Sequence, residues 1–415
     1  MGVPVSELVT RAEAVVSALG HAPSTLRQYR WAWSQIELFC AERGADELTE
    51  EVSAFFLGFV AAEYRQGRLK EWKCKLLRKA MLVLAEVAQT GTYRWSVSRA
   101  RHPNDDLDAT LRPVQEQFEQ WLTSRGLAPA TQDLYAVVSR KVLSWLPERG
   151  ITNVAHLSPS DLSAAVVFLA GSYRPCSMRT VVTALRVLCR FLEDSGARAG
   201  LAPAVPTVFA RRVRSVAVLP APIVEQVVDV PDPATPIGRR DRAMLLLAAR
   251  TGLRPGDIAG LRLSDIDWRQ GQITVTQLKT ATVMALPLLA DVGTAIAEYL
   301  LHDRPAGTGD DHVFLRSQAP HVALSSGNGL YHVAATAFAR TPTATTGGST
   351  GRGMRLLRAS LATRMLEQDT PLPVIASALG HRGIESAKHY LAGDEARMRQ
   401  CCLNFAGIEP KEARS

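Results

Sequence analysis

The sequence predicts a mainly α-helical protein of more than one domain, with a small antiparallel sheet in its C-terminal half. Apolar residues recur at spacings of three and four along most of the chain, which is the helical period. Residues 271–289 instead read as two short strands around a polar turn. The length of 415 residues exceeds what one hydrophobic core normally serves, so two or three domains are expected.

Two stretches of the N-terminal half, residues 22–44 and 128–150, share one pattern. Each has a proline near a helix start, apolar residues at helical spacing and a glycine after the last turn. At an offset of 106 the matched pairs are Ala22 and Ala128, Pro23 and Pro129, Thr25 and Thr131, Tyr29 and Tyr135, Glu42 and Glu148, Arg43 and Arg149, and Gly44 and Gly150. Each copy continues into an apolar helix and then a basic helix ending at Gly91 or Gly196. The pattern predicts two related helical modules; the alternative is that helix-cap chemistry makes unrelated helices look alike.

A helix near residues 177–194 separates an apolar stripe from a basic ridge. Arg179, Arg186 and Arg190 stand at i, i+7 and i+11, so the last two lie within about 20° of Arg179 on either side at 100° per residue. The ridge is either a DNA contact or an ordinary solvated face, and the basic segment at residues 68–79 favours the first. These patterns predict a helical module at 1–105 and a second at 106–196.

The segment 197–215 is predicted to be a basic linker. It lies in a stretch rich in proline and alanine, and Arg211, Arg212 and Arg214 could follow the phosphates of a nucleic acid. The chain as a whole carries a formal charge of +8, which indicates a polyanionic partner without separating DNA from RNA or a membrane surface.

The composition indicates no metal site, no cofactor and no membrane anchor. The cysteines have no Cys-x-x-Cys pairing and no histidine at metal-ligand spacing, so reduced thiols in a cytoplasmic protein are expected. No stretch reaches the roughly 18 apolar residues of a membrane helix. A soluble, unexported protein is therefore predicted.

Five residues of the C-terminal region form a distinctive series. Arg254 in TGLRPGD stands before a proline that can open a helix, and Lys279 lies in the predicted turn TQLKT. Arg358 in RLLRASLAT falls in the first turns of a predicted amphipathic helix, and His381 in LGH precedes Tyr390 by nine residues. In these motifs the chain resembles the tyrosine recombinases, or phage-type integrases, over residues 216–400.

The resemblance implies an architecture and partners. It implies a catalytic domain at 216–405, mixed α+β with a small antiparallel sheet, and a tail at 406–415. The helical module at 106–196 is then the core-binding (SAM-like) domain, with 1–105 as an additional DNA-binding arm. Double-stranded DNA is the implied partner, bound by a homotetramer or by a hetero-assembly with other recombinases. The favoured hypothesis is an active recombinase that serves as the transposase or integrase of a mobile element.

The chemistry explains these residue types. Arginine stays charged and bonds phosphate oxygens through a planar fork, so Arg254 and Arg358 could clamp a scissile phosphate without a metal ion. By resemblance, Tyr390 attacks that phosphate to give a 3′-phosphotyrosyl link without ATP, Lys279 protonates the leaving 5′ oxygen and His381 bonds the phosphate.

One departure from the family pattern leaves an alternative open. The family usually has histidine three residues before the second arginine and directly after it, where this chain has Arg355 and Ala359. Arg355 can bind phosphate but cannot readily act as a base. Asp257 is expected to support an arginine rather than act as an acid. The rival hypothesis is a DNA-binding accessory or regulatory protein that keeps the fold and has lost cleavage; an RNA-binding or purely structural helical protein would explain the charge but not the five residues.

Overall fold

The computed structural model describes residues 4–93, 103–209, 217–279, 281–324, 328–341, 353–381 and 383–387. The chain forms two compact units, one of residues 1–12 and 28–213 and the other of residues 13–27 and 214–415. As the sequence predicts, helices dominate and one small antiparallel sheet lies in the second unit.

The helices of the N-terminal half begin at prolines or capped turns in several cases. They are α1 (Val5–Ala18), α2 (Pro23–Ala41), α3 (Glu50–Arg65), α4 (Glu71–Thr90), α5 (Arg112–Ser124), α6 (Pro129–Trp145), α7 (Pro159–Ser172), α8 (Met178–Asp194) and the short α9 (Leu201–Ala204). Helix α7 begins with a capping box in which Ser158 and Asp161 satisfy each other's backbone N–H groups.

The two predicted modules can be compared helix by helix, and their duplication stays a prediction. Helices α1–α4 are followed by α5–α8 in matching order, with α2 and α6 both beginning at a proline. After these two helices, Gly44 and Gly150 both adopt a left-handed backbone, with φ of 65° and 76°. The guanidinium of Arg43 lies 3.8 Å from the ring of Phe39, and that of Arg149 lies 5.3 Å from the equivalent ring of Trp145. The same cation–π contact therefore closes the corresponding helix in both modules.

The basic ridge is not part of the repeat. Aligning Gly91 with Gly196 places Cys74, Met81 and Ala85 opposite Arg179, Arg186 and Arg190. Cys74 and Met81 are fully buried. The face of α8 that carries arginines therefore corresponds to an apolar, largely buried face of α4.

The core of the second module extends beyond α8. Leu201, Ala202 and Val205 are buried in the same cluster as the α5, α6 and α8 side chains. The first part of the segment that the composition predicts as linker thus packs on the module.

In the second unit, most of the other helices pack against one helix, α11 (Pro236–Thr251). The elements of the unit are α10 (Ala221–Asp229), α11, α12 (Pro255–Ala259), β1 (Ile266–Asp267), β2 (Gln272–Thr276), β3 (Val283–Pro287), α13 (Ala290–His302), α14 (Asn328–Ala339), α15 (Met354–Glu367) and α16 (Leu372–Ala378). The strands are antiparallel in the order β1-β2-β3, and the inward residues Ile273 and Val275 pair with Leu286 and Met284. This confirms the predicted hairpin.

Two helices of the second unit contain long runs of buried residues. In α11 every residue from 243 to 249 is buried, and in α15 every residue from 356 to 360 is buried. Helices α11, α14 and α16 pack around α15, and Arg355 and Glu367 remain exposed on it. Its buried Arg358 is therefore a feature of the interior.

Among the helices that the structure describes, none combines the length and apolar character needed to cross a lipid bilayer.

The aromatic core of the second module offers a test of the packing. Phe118 is fully buried, with its ring centroid 5.4 Å from that of Phe191 and 6.1 Å from that of Trp121. We expect Phe118→Ala to lower the free energy of unfolding by about 3–5 kcal/mol. The matched control is Phe209→Ala, because Phe209 is 97% exposed and its loss should change stability by less than about 0.5 kcal/mol. Urea unfolding of the full chain, followed by circular dichroism, measures both; equal losses in the two variants would contradict the packing described.

Candidate active site

Arg254 stands at the junction of two helices. Helix α11 ends at Gly252, whose φ of 65° reverses the chain, and α12 begins directly after Arg254. The extended backbone of Arg254 is the N-cap conformation that precedes a proline-initiated helix. Its Nη1 donates a hydrogen bond to Oε1 of Gln277 at 2.5 Å and lies 3.9 Å from Oδ2 of Asp257.

Asp257 joins Arg254 to the β2–β3 hairpin. The residue is only 3% exposed, and its Oδ1 accepts a hydrogen bond from the backbone N–H of Leu278 at 3.1 Å. The carboxylate thus fixes the start of the hairpin turn beside the arginine. The role of Asp257 as a support for an arginine stays a prediction.

Arg358 caps the C-termini of two helices from inside the protein. Its Nη1 donates to the carbonyl oxygen of Gly252, the C-cap of α11, at 2.6 Å. Its Nη2 donates to the carbonyl oxygen of Leu379, the C-cap of α16, at 2.8 Å. The last carbonyls of a helix have no partner within the helix and carry partial negative charge, so a guanidinium is well suited to them. Arg358 therefore stays cationic while only 7% exposed.

His381 completes this group. Its backbone N–H donates to the carbonyl of Ala376 at 2.8 Å, and its Nε2 lies 2.8 Å from Nη2 of Arg358. Because a guanidinium can only donate, Nε2 must accept in this arrangement, which places the imidazole proton on Nδ1. The second arginine and the LGH histidine are thus in direct contact, although 23 residues separate them.

A glutamine closes the arrangement into a ring. The side-chain N–H of Gln277 donates to the Leu379 carbonyl at 3.1 Å, the same oxygen that Arg358 uses, while its Oε1 accepts from Arg254. Starting at Arg254, the ring runs through Gln277, Leu379, Arg358 and Gly252 back to the TGLR turn. Four segments that are distant in sequence meet there.

Sequence reasoning missed Gln277, although a signal was present. Strand β2 alternates, with Ile273 and Val275 facing the core, and Gln277 continues that inward series. A polar residue at an inward position of a strand must find a partner, because burying an unsatisfied amide costs about 1–3 kcal/mol.

Two of the predicted catalytic residues are exposed next to the ring members. Lys279 is exposed in the turn after β2, one residue beyond Leu278, which Asp257 holds. Arg355 is exposed on α15, one turn before Arg358. Lys279 and Arg355 are thus accessible from solvent, whereas Arg358 is buried.

Tyr390, the predicted nucleophile, lies outside the described residues. Burial raises the pKa of the phenol in Tyr29, in Tyr173 and in Tyr299, which makes these tyrosines weaker nucleophiles at neutral pH. Tyr331 on α14 is 56% exposed.

The arginines predicted to contact DNA differ in their surroundings. On α8, Arg179 and Arg190 are exposed, whereas Arg186 is partly buried and donates from Nη2 to the carbonyl of Val205 at 3.1 Å. Arg186 thus also fastens the end of the module. The linker residues Arg211, Arg212 and Arg214 lie outside the part of the chain that the structure describes.

One group of potential metal ligands occurs among the described residues, at Asp310, Asp311 and His312. His312 Nδ1 lies 2.6 Å from Oδ1 of Asp310, whose Oδ2 accepts from the backbone N–H of Ala323 at 3.0 Å. Asp311 forms an ion pair with Arg262. These contacts account for the group as a loop structure, and we assign it no metal.

Comparison with known proteins identifies the family to which the chain is similar. Residues 218–397 match the model of the phage integrase family. The integrase/recombinase y4rF of Sinorhizobium fredii is 31% identical over 311 residues, covering 74% of this chain and 72% of that protein. The tyrosine recombinase XerD of Yersinia pestis is 28% identical over 302 residues, covering 69% of this chain and 95% of XerD.

The fold is also that of a solved recombinase. The crystal structure of the XerH site-specific recombinase bound to palindromic difH substrate, a post-cleavage complex, aligns with a TM-score of 0.53 at 16% identity. The alignment covers 86% of this chain and 96% of the XerH chain. The fold is thus that of the tyrosine recombinases. The chain belongs to the phage integrase family of tyrosine recombinases, and its general activity is site-specific DNA recombination.

The two arginines of α15 allow a direct test of the ring. Arg358→Ala leaves the carbonyls of Gly252 and Leu379 without their guanidinium donor, and we expect a loss of about 2–5 kcal/mol in the free energy of unfolding. Arg355→Ala, on the exposed face of the same helix, should change it by less than about 0.5 kcal/mol. Urea unfolding of the two full-length variants measures the difference. A stability of Arg358→Ala equal to that of the wild type would show that the helix ends do not depend on this residue.

Proposed function

We propose that this protein cuts and rejoins double-stranded DNA through a covalent 3′-phosphotyrosyl intermediate on Tyr390. The observation that carries the proposal is the hydrogen-bonded ring, which joins Arg254 and Arg358 through Gln277 and Leu379 and has His381 in contact with Arg358. Three of the five residues that the family resemblance singles out therefore belong to one network. A phosphate placed beside this network would meet fixed positive charge.

The arginines would act on the charge of the reacting phosphate. Negative charge on the non-bridging oxygens increases in the transition state, and preorganised cationic donors stabilise it without rearranging. Arg254 is suited to direct contact because its side chain is 22% exposed at the edge of the ring. Arg358 would stabilise the phosphate from its buried position, because two helix ends already orient its guanidinium.

Cleavage needs one nucleophile and one proton donor. The phenolic oxygen of Tyr390 would attack phosphorus, forming the O–P bond to tyrosine while the bond to the 5′ oxygen breaks. The phenol's proton would pass to solvent, and the departing 5′ oxygen would receive one from Lys279, the proposed donor, on its exposed turn. Rejoining is the reverse attack by a 5′ hydroxyl. Because the phosphotyrosyl bond conserves the energy of the phosphodiester, the proposed cycle needs neither ATP nor a metal ion.

Arg355 would serve as a phosphate ligand in the position where the family usually has histidine. Its exposure on α15, one turn from Arg358, leaves its guanidinium accessible to a DNA backbone. Arginine cannot take up the tyrosine's proton at neutral pH. Attack would then depend on the positive field around Tyr390 rather than on a base at this position.

We propose double-stranded DNA as the substrate, on the strength of the chain's charge, its exposed arginines and the DNA-bound XerH structure. Arg179 and Arg190 of α8 would contact phosphates, with Arg186 beside them and Arg211, Arg212 and Arg214 following the backbone in the linker. The module at 106–196 would act as the core-binding domain on the DNA, and the module at 1–105 would be an additional DNA-binding arm. Family resemblance further implies a tetramer, of this chain alone or with partner recombinases, acting in a mobile element.

The alternative is a DNA-binding accessory protein that retains the fold without cutting. The replacement of two histidines by Arg355 and Ala359 favours it, and Ala359 is buried, with no group for proton transfer. The retention of Arg254, Lys279, Arg358, His381 and Tyr390 argues for the enzyme, since a protein that only binds DNA has no chemical need for all five.

Covalent capture on a nicked DNA tests the nucleophile. The full chain is incubated with nicked duplexes from the ends of its own genetic element, and denaturing gels detect protein–DNA adducts. We expect an adduct with the wild type and with Tyr331→Phe, which removes an exposed phenol elsewhere in the same unit, and none with Tyr390→Phe. DNA binding without an adduct, also after candidate partner recombinases are added, would favour the accessory protein.

The role of Arg355 can be separated from that of the fold. We expect Arg355→Ala to lower the rate of adduct formation by about tenfold or more and Arg355→His to retain most of it, because histidine can also donate to a phosphate oxygen. Rates are compared at saturating DNA so that weaker binding does not contribute. An unchanged rate in Arg355→Ala would exclude the residue from the reaction.

A further inference from the structure

We infer that Gln277 is a positioning residue for the cleavage reaction, which couples the guanidinium of Arg254 to the turn that holds His381. The inference rests on the function proposed above. Neither the family resemblance nor the series of five residues includes this glutamine. Its assignment comes from the contacts of its side chain and from the space around it.

Both ends of the Gln277 amide are used on groups of the site. The oxygen accepts from Nη1 of Arg254, and the nitrogen donates to the Leu379 carbonyl, which also accepts from Arg358. An amide offers an acceptor and a donor at one carbon atom. A carboxylate could serve Arg254 but would repel the carbonyl, and an apolar side chain could serve neither. The ring therefore requires glutamine chemistry at this position.

The surroundings of Gln277 are built to receive it. The side chain is 1% exposed, and a Cβ at Gly380 would lie 2.3 Å from its Nε2. Gly380 also has a φ of 62°, which other residues rarely adopt. Only glycine therefore lets the LGH turn approach the amide closely enough for the bond to Leu379.

Gln277 also anchors the turn that carries Lys279. Its backbone N–H donates to the carbonyl of Thr282 at 2.9 Å, and its carbonyl accepts from the N–H of Ala281 at 2.8 Å. These bonds close the hairpin loop on both sides of the lysine. One residue thus links the orientation of Arg254 to the base of the loop that bears the proposed proton donor.

Such a link predicts a loss in the chemical step rather than in DNA binding. A small misplacement of a catalytic group can cost about 100-fold in rate. DNA affinity depends on many phosphate contacts across the whole chain and should hardly change.

The experiment compares full-length Gln277→Met, Gln277→Glu and the wild type, with Gln270→Met as the matched control at an exposed glutamine between β1 and β2. Single-turnover adduct formation on nicked DNA is measured at saturating protein, and DNA affinity is measured separately. We expect Gln277→Met to react about 10-fold to 100-fold more slowly with an affinity within about threefold of the wild type. Gln270→Met should match the wild type in both.

The Gln277→Glu variant provides a readout that a merely structural role would not change. When protonated, the carboxyl group that this substitution introduces could again donate to Leu379 while accepting from Arg254. The rate of the variant relative to the wild type should therefore rise as the pH falls from about 8 to about 5.5. A pH profile parallel to that of the wild type would overturn the proposed donor role.

The outcomes separate the inference from the function on which it rests. Wild-type rates in Gln277→Met would overturn the inference alone, because the wild-type adduct would still establish the recombinase. A slower rate that is fully explained by a smaller folded fraction, measured by circular dichroism in the same buffer, would also overturn it. Failure of the wild type itself to form an adduct would remove the proposed function and the role of Gln277 together.

Discussion

The site depends on one buried cation held by two helix ends. Arg358 would be costly to bury alone, since an uncompensated charge loses its hydration on leaving water. The carbonyls of Gly252 and Leu379 replace that hydration at 2.6 and 2.8 Å, and both belong to helix C-caps whose own helices leave them unsatisfied. The carbonyls compensate the buried charge of Arg358, and the guanidinium supplies the hydrogen bonds that the two helix ends lack. The position of the guanidinium therefore follows from where α11 and α16 end.

Where those helices end is decided by glycine. Gly252 and Gly380 both have a positive φ, and each approaches its neighbours too closely for a side chain; a Cβ at Gly252 would lie 2.7 Å from Cδ2 of Leu379. The glycines of the TGLR and LGH motifs are thus needed for the backbone turns and not for the reaction itself. At these turns the Gly252 carbonyl and the His381 ring both meet the guanidinium of Arg358, while Arg254 reaches Gln277. Gln277 then joins the hairpin to this junction, which connects the sheet to the helices that carry the charges.

The sequence predicted the helices, the hairpin and the order of the site residues because each has a local signal. The proline after Arg254 and the alternation of β2 are visible without tertiary information. The burial of Arg358 was not predicted, since an arginine suggests a solvated position until its partners on other segments are known. The same holds for Gln277 and Arg186, whose bonds to Leu379 and Val205 cross long sequence separations. Local sequence patterns show which polar residues stand at inward positions, whereas only the fold shows their hydrogen-bond partners.

The measurement that tests the account most directly is a crystal structure of the full chain on nicked DNA with vanadate in place of the scissile phosphate. The account predicts that the vanadate oxygens contact Arg254 and Arg358, that Tyr390 lies in line with the leaving 5′ oxygen, and that Arg358 keeps its bonds to Gly252 and Leu379. Vanadate bound away from the ring, or Arg358 released from both helix ends in the complex, would contradict the claim that a preformed network holds the reacting phosphate.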